Sequence, residues 1–188
     1  MNVYDFDGTI YDGDCTVDFY FYCLRKHPII IYYIVRQAKG FILYGAKKID
    51  KTRLKEYFFS FLNGLSDTNL LVLSFWQKYD VKIRQWYIQN KNNDDIIISA
   101  SPEFLLMPLK ESLNIKDIIA TKIDIQNGHI EGTNCFGEEK ILRFMKKYPS
   151  QTIDRFFSDS NCDLPLAKKA KKAYKVGKEK ISIWNLAK

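Results

Sequence analysis

The sequence has few of the residues that build metal clusters or disulfide frameworks. It contains four cysteines and two histidines in 188 residues, and no two cysteines form a CxxC pair. Because zinc sites are built mainly from closely spaced cysteine and histidine ligands, we expect no zinc site, and we expect free, reduced thiols. The chain also has no uncharged stretch of about 18 residues, the length that a transmembrane helix needs.

The N-terminal residues lack the basic and apolar regions of a secretory signal and enter a strand-like pattern at once. We therefore expect a cytoplasmic protein. The length fits one domain that carries a modest insertion, and the hydrophobic fraction of 46% is sufficient for a core.

Positive charge is concentrated in one part of the chain. Residues 13–90 contain 12 Lys and Arg against 6 Asp and Glu, whereas the rest contains 17 against 16. Such a basic, aromatic segment can lie on anionic lipid, or it can attract a phosphorylated metabolite by electrostatic steering. Since large exposed apolar patches are uncommon on monomers, we expect Tyr32, Tyr33, Phe41 and Tyr44 to be buried. A membrane surface is the less favoured partner.

The spacing of apolar residues predicts two kinds of structure. Residues 14–88 have helical spacing and no strand signal, whereas strands and helices alternate after residue 94. This alternation predicts an α/β fold, a parallel sheet with helices on both faces. We expect a core of residues 1–13 and 89–188, interrupted by an inserted all-helical segment of residues 14–88.

Several local features have simple structural interpretations. Ser66 and Ser101 are predicted to be helix N-caps, and Asn127-Gly128 is predicted to be the turn of a hairpin. The lysine-rich run at 168–175 is typical of a solvated helix face, and we expect no nucleic-acid partner. Oligomeric state has no sequence signal.

Carboxylates stand where predicted strands end. Asp5 and Asp7 follow the first strand, Ser99 ends the second, and Asp159 follows a later one. Ligands of an open parallel sheet bind outside the carboxyl ends of its strands, so these groups should converge. A cluster of like charge requires a cation, and Mg²⁺ accepts one or two carboxylates together with phosphate oxygens. Asp5 and Asp159 are the expected ligands.

Four short stretches resemble the motifs of the haloacid dehalogenase (HAD) superfamily, in order and across the whole chain. They are "DFDGT" (5–9), "IIISAS" (96–101), "GEEK" (137–140) and "SDSNCD" (158–163). An all-helical insertion directly after the first motif is similar to the C1-capped, phosphoserine phosphatase-like branch. The resemblance implies a Rossmann-like sheet and a Mg²⁺-dependent phosphatase that acts on a small phosphorylated substrate through an aspartyl-phosphate intermediate.

The resemblance also implies roles for individual residues. Asp5 would be the nucleophile and Asp7 the general acid and base. Ser99, Ala100 and Lys140 would bind phosphate. The expected metal ligands are Asp5, Asp7 and Asp159, and Asp163 would orient the metal.

The chain departs from the phosphoserine phosphatase pattern at Cys162, where those enzymes commonly have asparagine. Asp14, Asp18 and Arg53 are the only candidates for the missing substrate-binding acid and arginine, so serine specificity does not follow. The helical segment is loosely similar to the phosphatidylglycerophosphatase C type, which makes a phospholipid head group an alternative substrate. A dehalogenase is disfavoured because it needs no second acid such as Asp7. A non-catalytic module that binds anionic lipid or RNA is the alternative outside enzymes.

Overall fold

The sheet is the centre of the computed structural model, which describes residues 1–178 and 180–186. Its six strands among these residues are β1 (Asn2–Tyr4), β2 (Ile96–Pro102), β3 (Asp117–Thr121), β4 (Ile153–Ser158), β5 (Ala170–Val176) and β6 (Ile181–Ile183). The spatial order is β3-β2-β1-β4-β5-β6. All pairs are parallel except β5 and β6, which are antiparallel. The predicted α/β fold is confirmed.

Both faces of the sheet are buried because successive side chains of a strand point to opposite faces. Val3 of β1 and Phe156 of β4 belong to one apolar cluster. Their neighbours Tyr4 and Phe157 belong to the second cluster, which extends into the helices before β2. The short, fully buried strand β1 is therefore fixed from both sides, and the residues that follow it are held in place.

The chain between β1 and β2 forms helices. They are α1 (Cys15–Lys26), α2 (Ile34–Gly45), α3 (Lys51–Phe59), α4 (Thr68–Tyr79) and α5 (Gln85–Asn90), with 3₁₀ turns at Pro28–Tyr33, Ser60–Gly64 and Asp80–Lys82. Asp14 caps α1 by accepting hydrogen bonds from the N–H groups of Thr16 and Val17. The helical character of residues 14–88 matches the prediction, and their separation as a distinct domain remains a prediction.

Short helices connect the remaining strands. They are α6 (Glu103–Leu106), α7 (Pro108–Ser112), α8 (Glu138–Lys147) and α9 (Leu164–Ala167), with a 3₁₀ turn at Asn161–Asp163. The segment after β2 forms two helices, and the second begins at Pro108, a residue favoured at the first helical position. No helix among the described residues combines the length and apolarity needed to cross a membrane.

Three local predictions were wrong. Asp67, not Ser66, occupies the N-cap position of α4. Residues 170–176 form strand β5 and not a solvated helix face, because Ala173 and Val176 are buried in pairing between β4 and β6. Ser101 lies in β2 and caps no helix.

The predicted turn at Asn127-Gly128 is confirmed. Ile123 and Ile130 form an antiparallel bridge around it, and Gly128 has a φ of +77°. A Cβ atom at Gly128 would lie 2.4 Å from the carbonyl oxygen of Phe59, so the turn packs directly against the helical segment. The cysteines are free, as expected; three are buried and Cys162 is exposed.

The expected burial of the four aromatic residues in the helical segment was also wrong for three of them. Tyr32, Phe41 and Tyr44 are exposed, and only Tyr33 is partly buried. The cause lies in the opposite face of α2, where Gly40 is buried. A Cβ atom there would lie 2.4 Å from the Cβ atom of Tyr57, so α2 packs on α3 through a glycine and leaves its apolar residues outside.

Candidate active site

The seven predicted site residues converge on one pocket of about 500 Å³ at the carboxyl ends of the strands. The N–H of Asp5 donates to the carbonyl oxygen of Phe157 at 2.9 Å, which continues the pairing of β1 with β4 beyond the last strand residue. All seven line the pocket: Asp5, Asp7, Ser99, Ala100, Lys140, Asp159 and Asp163.

Lys140 connects two buried carboxylates. It lies in the first turn of α8, and its Nζ is 2.7 Å from Asp5 Oδ1 and 2.8 Å from Asp163 Oδ1. Ser158 Oγ donates to Asp163 at 2.7 Å and holds that side chain in place. Although burial acts to lower the pKa of Lys140, the charges of Asp5 and Asp163 raise it above its usual value. Lys140 is therefore a permanent ammonium at the base of the pocket.

Asp5 carries negative charge that Lys140 does not fully compensate, since two carboxylates share one ammonium. Loss of hydration on burial, against the opposing effect of Lys140 and with the added effect of Asp163, raises the pKa of Asp5 to about 7. Among the described residues, no donor contacts Asp5 Oδ2. This oxygen is available to a cation or to a substrate.

Asp7 is held by the residues around it. Its Oδ1 accepts a hydrogen bond of 2.7 Å from the N–H of Cys15 at the start of α1, and its Oδ2 accepts one from the hydroxyl of Ser101. Burial and the charge of Asp14 together raise the pKa of Asp7 to about 6, against the opposing effect of these hydrogen bonds. A carboxyl group with this pKa can both donate and accept a proton near neutral pH.

Asp159 lies against the backbone of the first motif. A Cβ atom at Gly8, whose φ is +70°, would lie 2.1 Å from Asp159 Oδ2. The N–H of Asp159 donates to Thr9 Oγ1 at 2.9 Å. Only glycine leaves room for the carboxylate at this position, so the "DFDGT" stretch places Asp159 as well as its own two acids.

The donor set fits Mg²⁺. No three acidic, histidine or cysteine side chains of the described residues are grouped closely enough to hold a metal by themselves. Mg²⁺ usually takes only one or two carboxylates and completes its shell with water and phosphate oxygens. Asp5 Oδ2 and the carboxylate of Asp159 supply two such oxygens, and neither accepts a hydrogen bond from another residue within the described chain.

The helical segment supplies pocket residues that sequence reasoning missed. Lys55 of α3 is partly buried and donates to the carbonyl oxygen of Ala100 at 2.7 Å and to Asn134 Oδ1 at 2.9 Å. Burial lowers the pKa of Lys55 to about 8. No motif marked Lys55, because its position depends on how α3 packs over β2. Ser101 belonged to a quoted motif, but its contact with Asp7 was not predicted.

The three candidates for a substrate-binding acid or arginine have separate positions. Asp14 lines the pocket. Asp18 forms an ion pair with Lys82, and Arg53 forms one with Glu56; neither of these two candidates lines the pocket. The other lining residues are mostly apolar: Val17, Phe41, Leu54, Phe58, Phe59 and Phe136, together with Thr16, Lys51 and Ser160.

A model of the haloacid dehalogenase-like hydrolase family matches residues 3–168, and the chain belongs to this family. It is therefore a hydrolase by family, as the four motifs predicted. No curated protein matches the sequence.

Solved structures share the fold at low sequence identity. The chain is similar to a protein of unknown function from Bordetella pertussis Tohama I, with a TM-score of 0.74 and 17% identity over 92% of this chain and 87% of that chain. It is also similar to a phosphoserine phosphohydrolase-like protein from Francisella tularensis subsp. tularensis SCHU S4, with a TM-score of 0.59 and 19% identity over 92% and 86%. A probable phosphoserine phosphatase from Vibrio cholerae is similar with a TM-score of 0.64 and 12% identity, over 92% of this chain and 55% of that chain.

Proposed function

We propose that the protein is a Mg²⁺-dependent phosphomonoesterase that forms an aspartyl-phosphate intermediate on Asp5. The observation that carries this proposal is the arrangement of Asp5. One of its oxygens is fixed by Lys140, and the other has no donor among the described residues of the pocket. A carboxylate oriented in this way is a suitable nucleophile toward a phosphate ester bound beside an ammonium group.

The reaction follows from the positions of the two acids. The carboxylate of Asp5 attacks phosphorus, the bond from phosphorus to the ester oxygen breaks, and Asp7 gives its proton to the departing alkoxide. Asp7 then takes a proton from water, which attacks the same phosphorus and releases phosphate and free Asp5. Lys140 and the hydroxyl of Ser99 bind the phosphoryl oxygens, together with the backbone of Ala100.

Asp5, Asp7 and Asp159 would hold the Mg²⁺, and Asp163 would orient the metal site through its contact with Lys140. When bound, the ion neutralises charge on the phosphoryl oxygens and allows the anionic nucleophile to approach an anionic substrate. The burial of Asp5 and Asp7, which raises both pKa values, supports a requirement for this cation.

The proposed substrate is a small phosphate ester, and a phosphoserine-like compound is consistent with the structural neighbours. The apolar pocket wall that includes Phe41, Leu54 and Phe58 favours a second candidate, the head-group phosphate of a phospholipid. A non-catalytic module is disfavoured because Asp5, Asp7 and Lys140 are all present and line the same pocket.

A generic phosphatase assay tests the proposal. We expect hydrolysis of p-nitrophenyl phosphate that depends on added Mg²⁺ and is abolished by chelation. Asp5→Asn should remove turnover because it removes the nucleophile and a metal ligand together, with the circular dichroism spectrum unchanged. Asp12→Asn is a matched control, since Asp12 forms an ion pair with Arg84 outside the pocket. Near wild-type activity in Asp5→Asn would contradict the covalent mechanism.

A further inference from the structure

Residues 28–46 expose an unusual amount of apolar surface. Eight of the twenty exposed large apolar side chains within the described residues lie here, and the most exposed are Tyr32 at 78% and Val35 at 75%. We call these eight the apolar face: Ile29, Ile31, Tyr32, Ile34, Val35, Phe41, Ile42 and Tyr44. Contiguous exposed apolar surface on a soluble protein marks an interaction site.

The apolar face is exposed because α2 is anchored by other means. Gln37 is buried and donates to the carbonyl oxygen of Phe58 at 2.9 Å, while the hydroxyl of Tyr20 donates to Gln37 Oε1 at 3.1 Å. Gly40 provides the close contact with α3. A water-facing helix normally buries its apolar stripe. Here a polar side chain and a glycine are buried, and the apolar residues are outside.

The stretch of chain that carries the apolar face contains basic residues and no acidic ones. The stretch from 19 to 49 contains no Asp or Glu. Its six basic side chains are all exposed: Arg25, Lys26, Arg36, Lys39, Lys47 and Lys48. Apolar residues beside lysine and arginine are typical of helices that lie in the interface of an anionic bilayer, and tyrosine is favoured at the same depth.

We propose that the apolar face is a docking surface for an anionic lipid bilayer. Charge distinguishes this occupant from a second copy of the chain. A two-fold interface would bring the same six basic side chains of each copy toward one another, whereas anionic head groups neutralise them. Docking is peripheral, since no described helix is long and apolar enough to span the membrane.

The docking surface adjoins the catalytic pocket. Phe41 belongs to the apolar face and also lines the pocket, so a docked protein holds the pocket mouth near the lipid surface. The proposal itself concerns binding and does not rest on the phosphatase reaction. Vesicle binding can therefore succeed or fail independently of turnover.

Sedimentation with vesicles tests the proposal. The wild-type protein should pellet with vesicles of phosphatidylcholine mixed with phosphatidylserine at physiological ionic strength, and much less with phosphatidylcholine alone. The double variant Val35→Asn with Ile42→Asn should lose most of this binding. Leu142→Asn with Met145→Asn is the control, because these residues are also apolar and exposed but lie on α8, and it should bind like wild type.

Further variants test the contribution of the basic residues to vesicle binding. Lys39→Gln with Lys48→Gln should weaken binding about thirtyfold, or about 2 kcal/mol, since each basic residue near an anionic surface contributes about 1 kcal/mol. Lys171→Gln with Lys172→Gln removes the same net charge from β5, away from α2, and should have little effect.

Three results would overturn the proposal. One is the absence of wild-type binding to anionic vesicles at physiological salt. Another is binding that the Val35 and Ile42 substitutions leave unchanged, because general attraction of a basic protein would then explain it. The third is self-association that the same substitutions abolish in the absence of vesicle binding, which would assign the face to a second copy. Unchanged melting curves and unchanged p-nitrophenyl phosphate hydrolysis establish that the variants are folded.

Discussion

Asp7 differs from Asp5 and Asp159 because both its oxygens accept hydrogen bonds, from the N–H of Cys15 and from the hydroxyl of Ser101. These contacts stabilise its ionised form, whereas burial favours the protonated form, and the balance raises its pKa to about 6. A group balanced in this way is suited to transfer a proton in each half of a two-step hydrolysis.

Asp7→Asn should slow steady-state hydrolysis by roughly 10²–10⁴-fold, the usual contribution of a general acid and base. Nitrophenolate leaves without a proton, so the first step with p-nitrophenyl phosphate should be affected less than the first step with an alkyl phosphate. Rapid-quench kinetics on both substrates measure this difference. Equal losses in the first step would contradict the assignment of Asp7 as the acid.

Lys55 supplies a pH-dependent charge at the pocket wall. Burial lowers its pKa to about 8, so the ammonium is present below this pH and is lost as the pH rises through it. The KM for p-nitrophenyl phosphate should therefore increase above about pH 8. Lys55→Met should have a higher KM at neutral pH with no such increase, and Lys55→Arg should keep a low KM throughout. An unchanged pH profile in Lys55→Met would exclude Lys55 from substrate binding.

At the scale of elements, the loop from β1 to α1 determines the geometry of the site. Gly8 has a positive φ, and its Cα approaches Asp159 so closely that any side chain would displace the carboxylate. The N–H of Gly8 donates to the carbonyl oxygen of Gly13 at 2.9 Å, which closes the loop. The first motif therefore supplies the glycine that the packing of Asp159 requires, as well as the two acids proposed for the chemistry.

Gly8→Ala should raise the Mg²⁺ concentration needed for half-maximal activity and should destabilise the fold. Gly132→Ala is the matched control, because Gly132 has a φ of +85° and nothing within 4 Å of its added Cβ atom. Both variants should lose roughly 1–2 kcal/mol of stability through backbone strain. Only Gly8→Ala should need more Mg²⁺ for half-maximal activity. Urea unfolding measures the loss of stability, and Mg²⁺ titration of the activity measures the change in Mg²⁺ dependence. Identical Mg²⁺ dependence in both variants would remove Asp159 from the proposed metal site.

Most elements could be predicted from periodicity, and the exceptions have physical causes. β2, β3 and β4 are apolar runs with strong signals, and α8 has a clear amphipathic pattern. β5 was mistaken in part for helix because alanine and lysine favour helices, whereas pairing with β4 and β6 decides the outcome. The division between α6 and α7 could have been predicted from Pro108, because proline favours the first position of a helix.

At the scale of the molecule, the sequence predicted which residues meet at the edge of the sheet, but not how the helical segment packs over them. Asp5, Ser99 and Asp159 could be placed together because the carboxyl ends of parallel strands share one edge. The contacts of Lys55 and Ser101, and the exposure of Tyr32 and Phe41, depend on how the helical segment packs against the core. Hydrophobic spacing shows that α2 has an apolar face, but it does not show which face contacts α3.

The central claim is that Asp5 carries the phosphoryl group during turnover, and mass spectrometry tests it most directly. The Asp7→Asn variant should be mixed with p-nitrophenyl phosphate and Mg²⁺, quenched in acid and digested, since slow hydrolysis of the intermediate favours its accumulation. We predict a phosphorylated N-terminal peptide with the modification on Asp5, and none when Asp5→Asn is added to the same variant. A phosphoryl group on another residue, or none despite continued turnover, would contradict the account.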